Sequence, residues 1–282
     1  MVRRIGKGGC TEDMSKLKGK VAIVTGAARG LGRAYALHLA GLGAHIVVND
    51  IDLSAAREFG ETLSAASVVS ECEALGVRAL GVEADVTRRS EVGRMCSAAL
   101  AEFGRIDILV NNAGGVLRPA ENGKASSVSE DDWRYIMDVN LTQTVFCCQA
   151  VAPTMMQQRS GKIVNVASQA GVRANMDGAI SHYSVAKAGI IQYTRLLAAE
   201  MGPFNVHVNC IAPGLILTSR ANSQFKRDSP EALAKAAPSI PLRRMGVPED
   251  CARVVEFLTT ELSDYITGQV ICIDGGMVLS PS

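Results

Sequence analysis

The chain has no marked excess of charge. Its 282 residues carry 29 Lys and Arg against 28 Asp and Glu, a formal net charge of +1. No basic footprint for nucleic acid or an anionic membrane surface is therefore expected. Apolar runs of roughly 18 residues or more are also absent, which argues against a membrane-spanning helix. The eight cysteines (Cys10, Cys72, Cys96, Cys147, Cys148, Cys210, Cys251 and Cys272) include no C-x-x-C pair. Most lie inside apolar segments, which favours reduced thiols in a cytoplasmic protein over disulfides or zinc, and no metal site is expected. The N-terminal stretch to Lys20 is basic and glycine-containing but has no apolar h-region, so it does not read as a secretory signal. There is no Pro/Ser-rich linker, internal repeat or low-complexity block. The length is read as a flexible tail over residues 1–16 followed by one domain over 17–282.

What is present is a core-sized apolar fraction, 48%, arranged in alternating patterns. Short β-branched runs at Val21–Thr25, His45–Asp50, Arg78–Glu83, Ile108–Asn111, Lys162–Ala167, Val206–Ile211 and Val270–Ile273 read as strands. Several are continuously apolar, as strands covered on both faces require. Between them Leu31–Gly41, Val68–Leu75, Ser90–Phe103, Asp131–Gln158, Ser184–Met201 and Glu249–Thr260 read as helices. Strand–helix alternation predicts an α/β fold: a doubly wound, parallel, seven-stranded Rossmann-like sheet with helices on both faces. Residues 52–66 are long for a strand-to-helix connection and are expected to hold a helix on the rim. Residues 219–247 are polar and contain Pro230, Pro238 and Pro241; they are expected to form a lid, an ordinary surface excursion being the alternative.

The first strand runs into Thr25-Gly26-Ala27-Ala28-Arg29-Gly30-Leu31-Gly32, followed at once by a helix. Such a turn brings backbone N–H groups and a helix N-terminus to a pyrophosphate. Its spacing is G-x-x-x-G-x-G, not the general G-x-G-x-x-G. Asp50 ends the second strand, eighteen residues after Gly32, where an acidic residue is expected to meet the ribose hydroxyls. A carboxylate there would repel a 2′-phosphate and favour NAD. Arg29, beside the same pocket, would favour NADP. Asp50 is given the greater weight, because Arg29 can swing to solvent.

Tyr183 and Lys187 stand four apart at the start of a helical pattern, on one face. An ammonium beside a phenol draws the Tyr pKa toward neutrality and makes a tunable acid/base. Taken alone, the commoner reading of such a pair is a solvated Lys beside a packed Tyr. Together, Thr25-Gly26-x-x-x-Gly30-x-Gly32, Asn111-Asn112-Ala113-Gly114, Asn140, Ser168, Tyr183-x-x-x-Lys187, Pro213-Gly214 and Ile273-Asp274-Gly275-Gly276 occur in an order that resembles the short-chain dehydrogenase/reductase family, over nearly all of Leu17 to Met277.

The resemblance implies an NAD(P)-dependent alcohol dehydrogenase or ketoreductase. In it Tyr183 would exchange the substrate proton, Lys187 would lower its pKa and hold the nicotinamide ribose, and Ser168 would hydrogen-bond the substrate oxygen. Asn140 would support a water linked to Lys187. It further implies that Asp85 and Val86 bracket the adenine and that Asn112, Ala113 and Gly114 pass beneath the adenosine ribose. Pro213 and Gly214 would open a segment whose Ile216 backbone and Thr218 hydroxyl meet the carboxamide and phosphates. Relatives are usually tetramers joined through their fourth and fifth helices, so a homotetramer is expected. Val145, Phe146, Cys147, Val151 and Met155 of one helix, and Ile190, Ile191, Leu196 and Leu197 of the other, serve that interface or the monomer core.

The Ser168-to-Tyr183 spacing is a little longer than is common in the family, and the 52–66 insertion is atypical. Both leave the substrate open beyond a secondary alcohol or ketone of modest size. Gln169, Arg173 and Leu215 are candidates to line its pocket, Arg173 as an anchor for a carboxylate or phosphate unless it faces water. Arg220, Lys226, Arg227, Arg243 and Arg244 give the lid a basic lean, read as a solvated face or as a site for an acidic substrate such as a CoA ester. Two alternatives stand beside the dehydrogenase: an NADPH-dependent 3-oxoacyl-thioester reductase, favoured by Arg29, and a non-catalytic dinucleotide-sensing protein, which the intact Asn140, Ser168, Tyr183 and Lys187 set argues against.

Overall fold

Seven short apolar segments build one sheet: β1 (Val21–Thr25), β2 (His45–Asp50), β3 (Ala79–Glu83), β4 (Ile108–Asn111), β5 (Gly161–Val166), β6 (Val206–Pro213) and β7 (Val270–Ile273). All pairs are parallel, in the order β3-β2-β1-β4-β5-β6-β7. The computed structural model describes residues 16–118, 123–174, 176–225 and 228–279, with the backbone alone at 224 and 225. The tail expected over residues 1–16 lies, apart from Lys16, outside the described residues, as do Cys10, Lys226 and Arg227.

The strands are apolar throughout because each face has its own core. Successive side chains of a strand point to opposite faces. Ala22, Val24, Ile46, Val48, Ile108 and Val110 join one buried cluster, while Val21, Ile23, Val47 and Leu109 join another. The first cluster lies under α1 (Gly30–Gly41), α3 (Val68–Ala74) and α10 (Pro248–Thr259). The second lies under α4 (Arg89–Phe103), α6 (Gln143–Gln158) and α7 (Ser181–Met201). Cys147, Val151, Met155, Ile190 and Leu197 are buried within the protomer, whereas Leu196 is 62% exposed. The seven described cysteines are free thiols, and burial pushes Cys72, Cys148, Cys210 and Cys251 up to about 12. No helix among the described residues is long and apolar enough to cross a membrane.

Two expectations need correction. The single helix over Asp131–Gln158 is broken: α5 (Glu130–Met137) passes into a π-turn, Asp138–Thr142, before α6 begins. The cause is Asn140. Its Nδ2 donates to the carbonyls of Ile136 (3.0 Å) and Gly115 (3.1 Å), and its Oδ1 accepts from the Gly115 amide at 2.9 Å. Side-chain insertion of this kind widens a helix locally, and π-turns of this sort cluster at functional sites. The helix expected from Ser184 starts at Ser181, so Tyr183 occupies its first turn. It is entered through Ile180 at φ 50°, a left-handed conformation that costs a β-branched residue about 1–3 kcal/mol.

The 52–66 insertion holds a helix as expected, though one of only four residues, α2 (Ala55–Glu58), and then returns across the start of α1, where Glu61 and Thr62 meet Gly30 and Arg33. The expected lid leaves and rejoins the domain at one place, where Ile216 and Gly246 bridge: Leu217 N–H donates to Gly246 O and Gly246 N–H to Leu215 O, both at 2.9 Å. Between them lie α8 (Ser219–Phe225) and α9 (Pro230–Ala236).

Candidate active site

β1 and β4 lie side by side although their helices run to opposite faces, and a cleft of about 680 Å3 opens at the carboxyl ends of the strands there. Open α/β sheets bind ligands at this switch point. Thr25 and Asn112 lock its floor. Thr25 Oγ1 accepts from the amides of Asn112 (3.0 Å) and Ala113 (3.1 Å), and Asn112 Nδ2 donates to the carbonyls of Thr25 and Gly26, each at 3.0 Å.

At one end of the cleft Gly26, Arg29, Gly30, Leu31, Asp50, Asp85 and Val86 form the wall, with Asn112, Ala113 and Gly114 below. Gly32 does not line it. It lies behind the turn, where an added Cβ would overlap the Gly26 carbonyl oxygen. Gly26 has φ +62°, and a Cβ there would stand 2.9 Å from Ala113 Cα. The turn is thus packed too closely for side chains. Asp50 Oδ2 accepts from Ala28 N–H at 3.0 Å and Oδ1 from Ile51 N–H at 2.8 Å. Burial raises the Asp50 pKa, against the lowering effect of these amides and of Arg29.

At the other end Ser168, Gln169, Tyr183, Lys187, Pro213, Gly214, Leu215, Ile216 and Thr218 line the cleft together. Ser168 follows β5, and its Oγ accepts from Ala170 N–H at 3.2 Å. Lys187 is buried, its Nζ donating to Val166 O at 2.8 Å and lying 5.6 Å from the centre of the Tyr183 ring. Burial pushes its pKa down to about 8, Cys210 opposes the shift, and Arg220 adds to it. The placement of α7 rests on a buried polar chain: Asn111 Nδ2 donates to Asn165 Oδ1, and Asn165 Nδ2 donates to Thr194 Oγ1, both at 2.9 Å.

Asn140 lies behind the wall, fully buried, and reaches the cleft through Gly115. Arg173 is a correction: it does not line the cleft, and its Nη1 donates instead to Met277 O at 3.0 Å on the outside. Arg220 takes the cationic place in the cleft. From the first turn of α8 its Nη1 donates to Gly114 O at 3.1 Å, beside Gly115, where any Cβ would overlap the guanidinium. Sequence reasoning counted Arg220 among five lid cations without separating it from them. It also missed the apolar wall of Val116, Leu117, Tyr135, Val139 and Ile180, because these residues come from three unconnected segments.

Comparison with known proteins is consistent with this arrangement. A family model described as enoyl-(acyl carrier protein) reductase matches residues 26–278. The chain is 47% identical to a cyclohexanol dehydrogenase of Rhodococcus sp. (strain TK6), over 95% of this chain and 99% of that one. The chain belongs to the short-chain dehydrogenase/reductase family. Within the family it is also 39% identical to a 3-oxoacyl-[acyl-carrier-protein] reductase of Synechocystis, over 94% of this chain and all of that one. Its fold matches the crystal structure of a short-chain type dehydrogenase/reductase from Mycobacterium marinum at a TM-score of 0.83 and 32% identity, covering 95% of this chain and 99% of that one. The chain is an oxidoreductase of this family.

The short-chain dehydrogenase/reductase family uses a nicotinamide dinucleotide, and the residues present fit one. The Gly26–Gly32 turn leaves room where side chains would otherwise project. Gln169, lining the opposite end, has a buried Oε1 without a hydrogen-bond partner in the protein, an acceptor suited to an amide N–H. Among the described residues no group of three or more His, Cys, Asp or Glu is placed to hold a metal ion.

Proposed function

We propose that this protein is an NAD-dependent dehydrogenase that interconverts a secondary alcohol of modest, apolar, preferably cyclic skeleton and its ketone. The observation that carries the proposal is the joint opening of Ser168, Tyr183 and Lys187 onto one cleft whose far end carries Asp50. The substrate class follows from the apolar wall of Val116, Leu117, Val139, Ile180 and Leu215, and the similarity to a cyclohexanol dehydrogenase supports it.

When bound, the nicotinamide would supply or take up the hydride. Every other task falls to the chain. In the oxidative direction Tyr183, as phenolate, accepts the hydroxyl proton while the carbinol hydrogen leaves as hydride. In the reductive direction the phenol returns the proton to the oxygen. Ser168 Oγ donates to the same oxygen and stabilises the charge that develops there. The Lys187 ammonium, held by Val166 O, favours the phenolate form of Tyr183. Asn140 acts as a positioning residue through Gly115. Asp50 accepts from the adenosine ribose hydroxyls and disfavours a 2′-phosphate. The segment 219–247 would close over the substrate, and α7, with Val185 46% and Leu196 62% exposed, offers apolar surface for a homotetramer in the cytoplasm.

The second reading is an NADPH-dependent 3-oxoacyl-thioester reductase, favoured by Arg29 and by the similarity to the Synechocystis enzyme. One assay of nicotinamide absorbance separates the two. NAD and NADP are paired with cyclohexanol and other secondary alcohols, and NADH and NADPH with the matching ketones and with 3-oxoacyl thioesters. Turnover of cyclic alcohols with NAD supports the proposal. Turnover confined to NADPH and thioesters overturns it.

A further inference from the structure

The 52–66 insertion lies against the cofactor end of the cleft and occupies both arginines at the start of α1. Arg29 lines the cleft beside Asp50, and its guanidinium carbon sits 3.8 Å from the centre of the Phe59 ring. At that distance the cation stacks on the aromatic face. The insertion also brings carboxylates to Arg29, with Glu61 and Glu58 joining Asp50 as its charged neighbours. Arg33, one turn further along α1, is held by Glu71 through Nε and Nη2, both at 2.7 Å. The insertion adds the Thr62 carbonyl at 3.3 Å and Glu61 Oε2 at 3.4 Å. Glu61 Oε1 in turn accepts from Gly30 N–H at 2.8 Å and from Ser219 Oγ at the start of α8.

Binding a 2′-phosphate calls for a free cation beside the acidic residue at the end of β2. Here the residue that could supply it is stacked on Phe59, and a further carboxylate stands at the same turn. We infer that the 52–66 insertion is a specificity element that excludes NADP, with Phe59 holding the Arg29 guanidinium in a stack instead of leaving it free for a 2′-phosphate, and Glu61 adding negative charge at the glycine turn. Neither residue need touch NAD. Phe59 acts through Arg29, and Glu61 through the field it sets at Gly30. The inference rests on the NAD reading of the site and explains how a chain carrying Arg29 could keep that preference.

The test is titration calorimetry of NAD and NADP binding to the full chain, with kcat/KM for each cofactor measured alongside. The wild-type ratio of the two affinities reads the NAD proposal. The change in that ratio on substitution reads the insertion, so one can fail without the other. Phe59→Leu should tighten NADP about five-fold relative to NAD, the size of an exposed or half-buried cation–π contact. Phe59→Tyr keeps the aromatic face and should leave the ratio at its wild-type value. Glu61→Gln keeps an acceptor for Gly30 and should shift the ratio toward NADP by a similar factor. In an Arg29→Ala background the Phe59→Leu effect should vanish, since the two residues act as one pair. An unchanged ratio in both Phe59→Leu and Glu61→Gln would overturn the inference. So would an equal weakening of both cofactors, which would show the insertion to be support for the turn only.

Discussion

Around Gly26 and Asp50 the cleft is built on a turn whose glycines leave no room for side chains; around Ile180 and Leu215 it is lined by apolar residues. At the first end, Thr25, Asn112 and Asp50 spend their hydrogen bonds on neighbouring amides and carbonyls, and glycines leave space where a Cβ would clash. At the second end the wall is drawn from the β4–α5 connection, the π-turn, the entry to α7 and the segment after β6. The glycine turn offers the same backbone to any dinucleotide, and discrimination between dinucleotides falls to the few side chains beside it, Asp50 and Arg29. A wall of side chains changes shape with each substitution. The contrast explains why one scaffold can hold its cofactor site while its substrate changes.

Four substitutions would break or sharpen the contrast. Tyr183→Phe removes the acid/base and nothing that shapes the cofactor end. We expect kcat to fall about a thousandfold, with NAD affinity by calorimetry unchanged; retained turnover would refute the assigned role. Gly32→Ala should act at the opposite end. Its Cβ overlaps the Gly26 carbonyl, and forcing it in costs about 1–3 kcal/mol. NAD binding should weaken by about tenfold or more as the turn opens, and an unaltered Kd would show that the turn tolerates a side chain.

Leu215→Ala removes part of the apolar wall. The KM for cyclohexanol should rise about tenfold, the scale of a few methylenes in a pocket, with the Kd for NAD steady. Equal loss of both would mean that the two ends are not separable. The smallest effect concerns Lys187, whose ammonium is buried with its pKa pushed down to about 8 from 10.5. Between those values the unfolded chain binds more protons than the folded one, so this group makes stability rise with pH across that window. The cost of burying the charge is present in full below about 8. Lys187→Met should therefore gain stability over wild type near neutrality, and the gain should shrink as pH climbs from about 8 past 10.5. Urea midpoints at several pH values measure it, and a gain that is constant with pH would contradict the shift.

Much of this was legible in the sequence because it is local. Each of the seven strands was visible as a β-branched run, with ends displaced by two residues or fewer. The glycine turn, Asp50 and the Tyr183–Lys187 spacing are short patterns whose geometry follows from a single turn or helix. The π-turn at Asn140 was hidden, since the periodicity of Asp131–Gln158 remains helical on both sides of it. What widens the helix is a partner, Gly115, from a different segment. From its position in the chain Arg173 had the stronger claim to the pocket, and Arg220 was one of five lid cations. Packing sent the first outward to Met277 and the second inward to Gly114.

By itself, the sequence determined the class of sheet and the end of it that faces the cofactor, because these depend on period and spacing within segments of one strand or one helix. The residues offered for proton exchange came from the order of several motifs along the chain and the family that order resembles. Only the tertiary structure decided which cations enter the cleft, that Phe59 lies on Arg29, and that Glu61 joins the glycine turn to the start of α8. Those contacts join residues far apart in the chain, and no local pattern encodes the direction in which a long side chain leaves a loop.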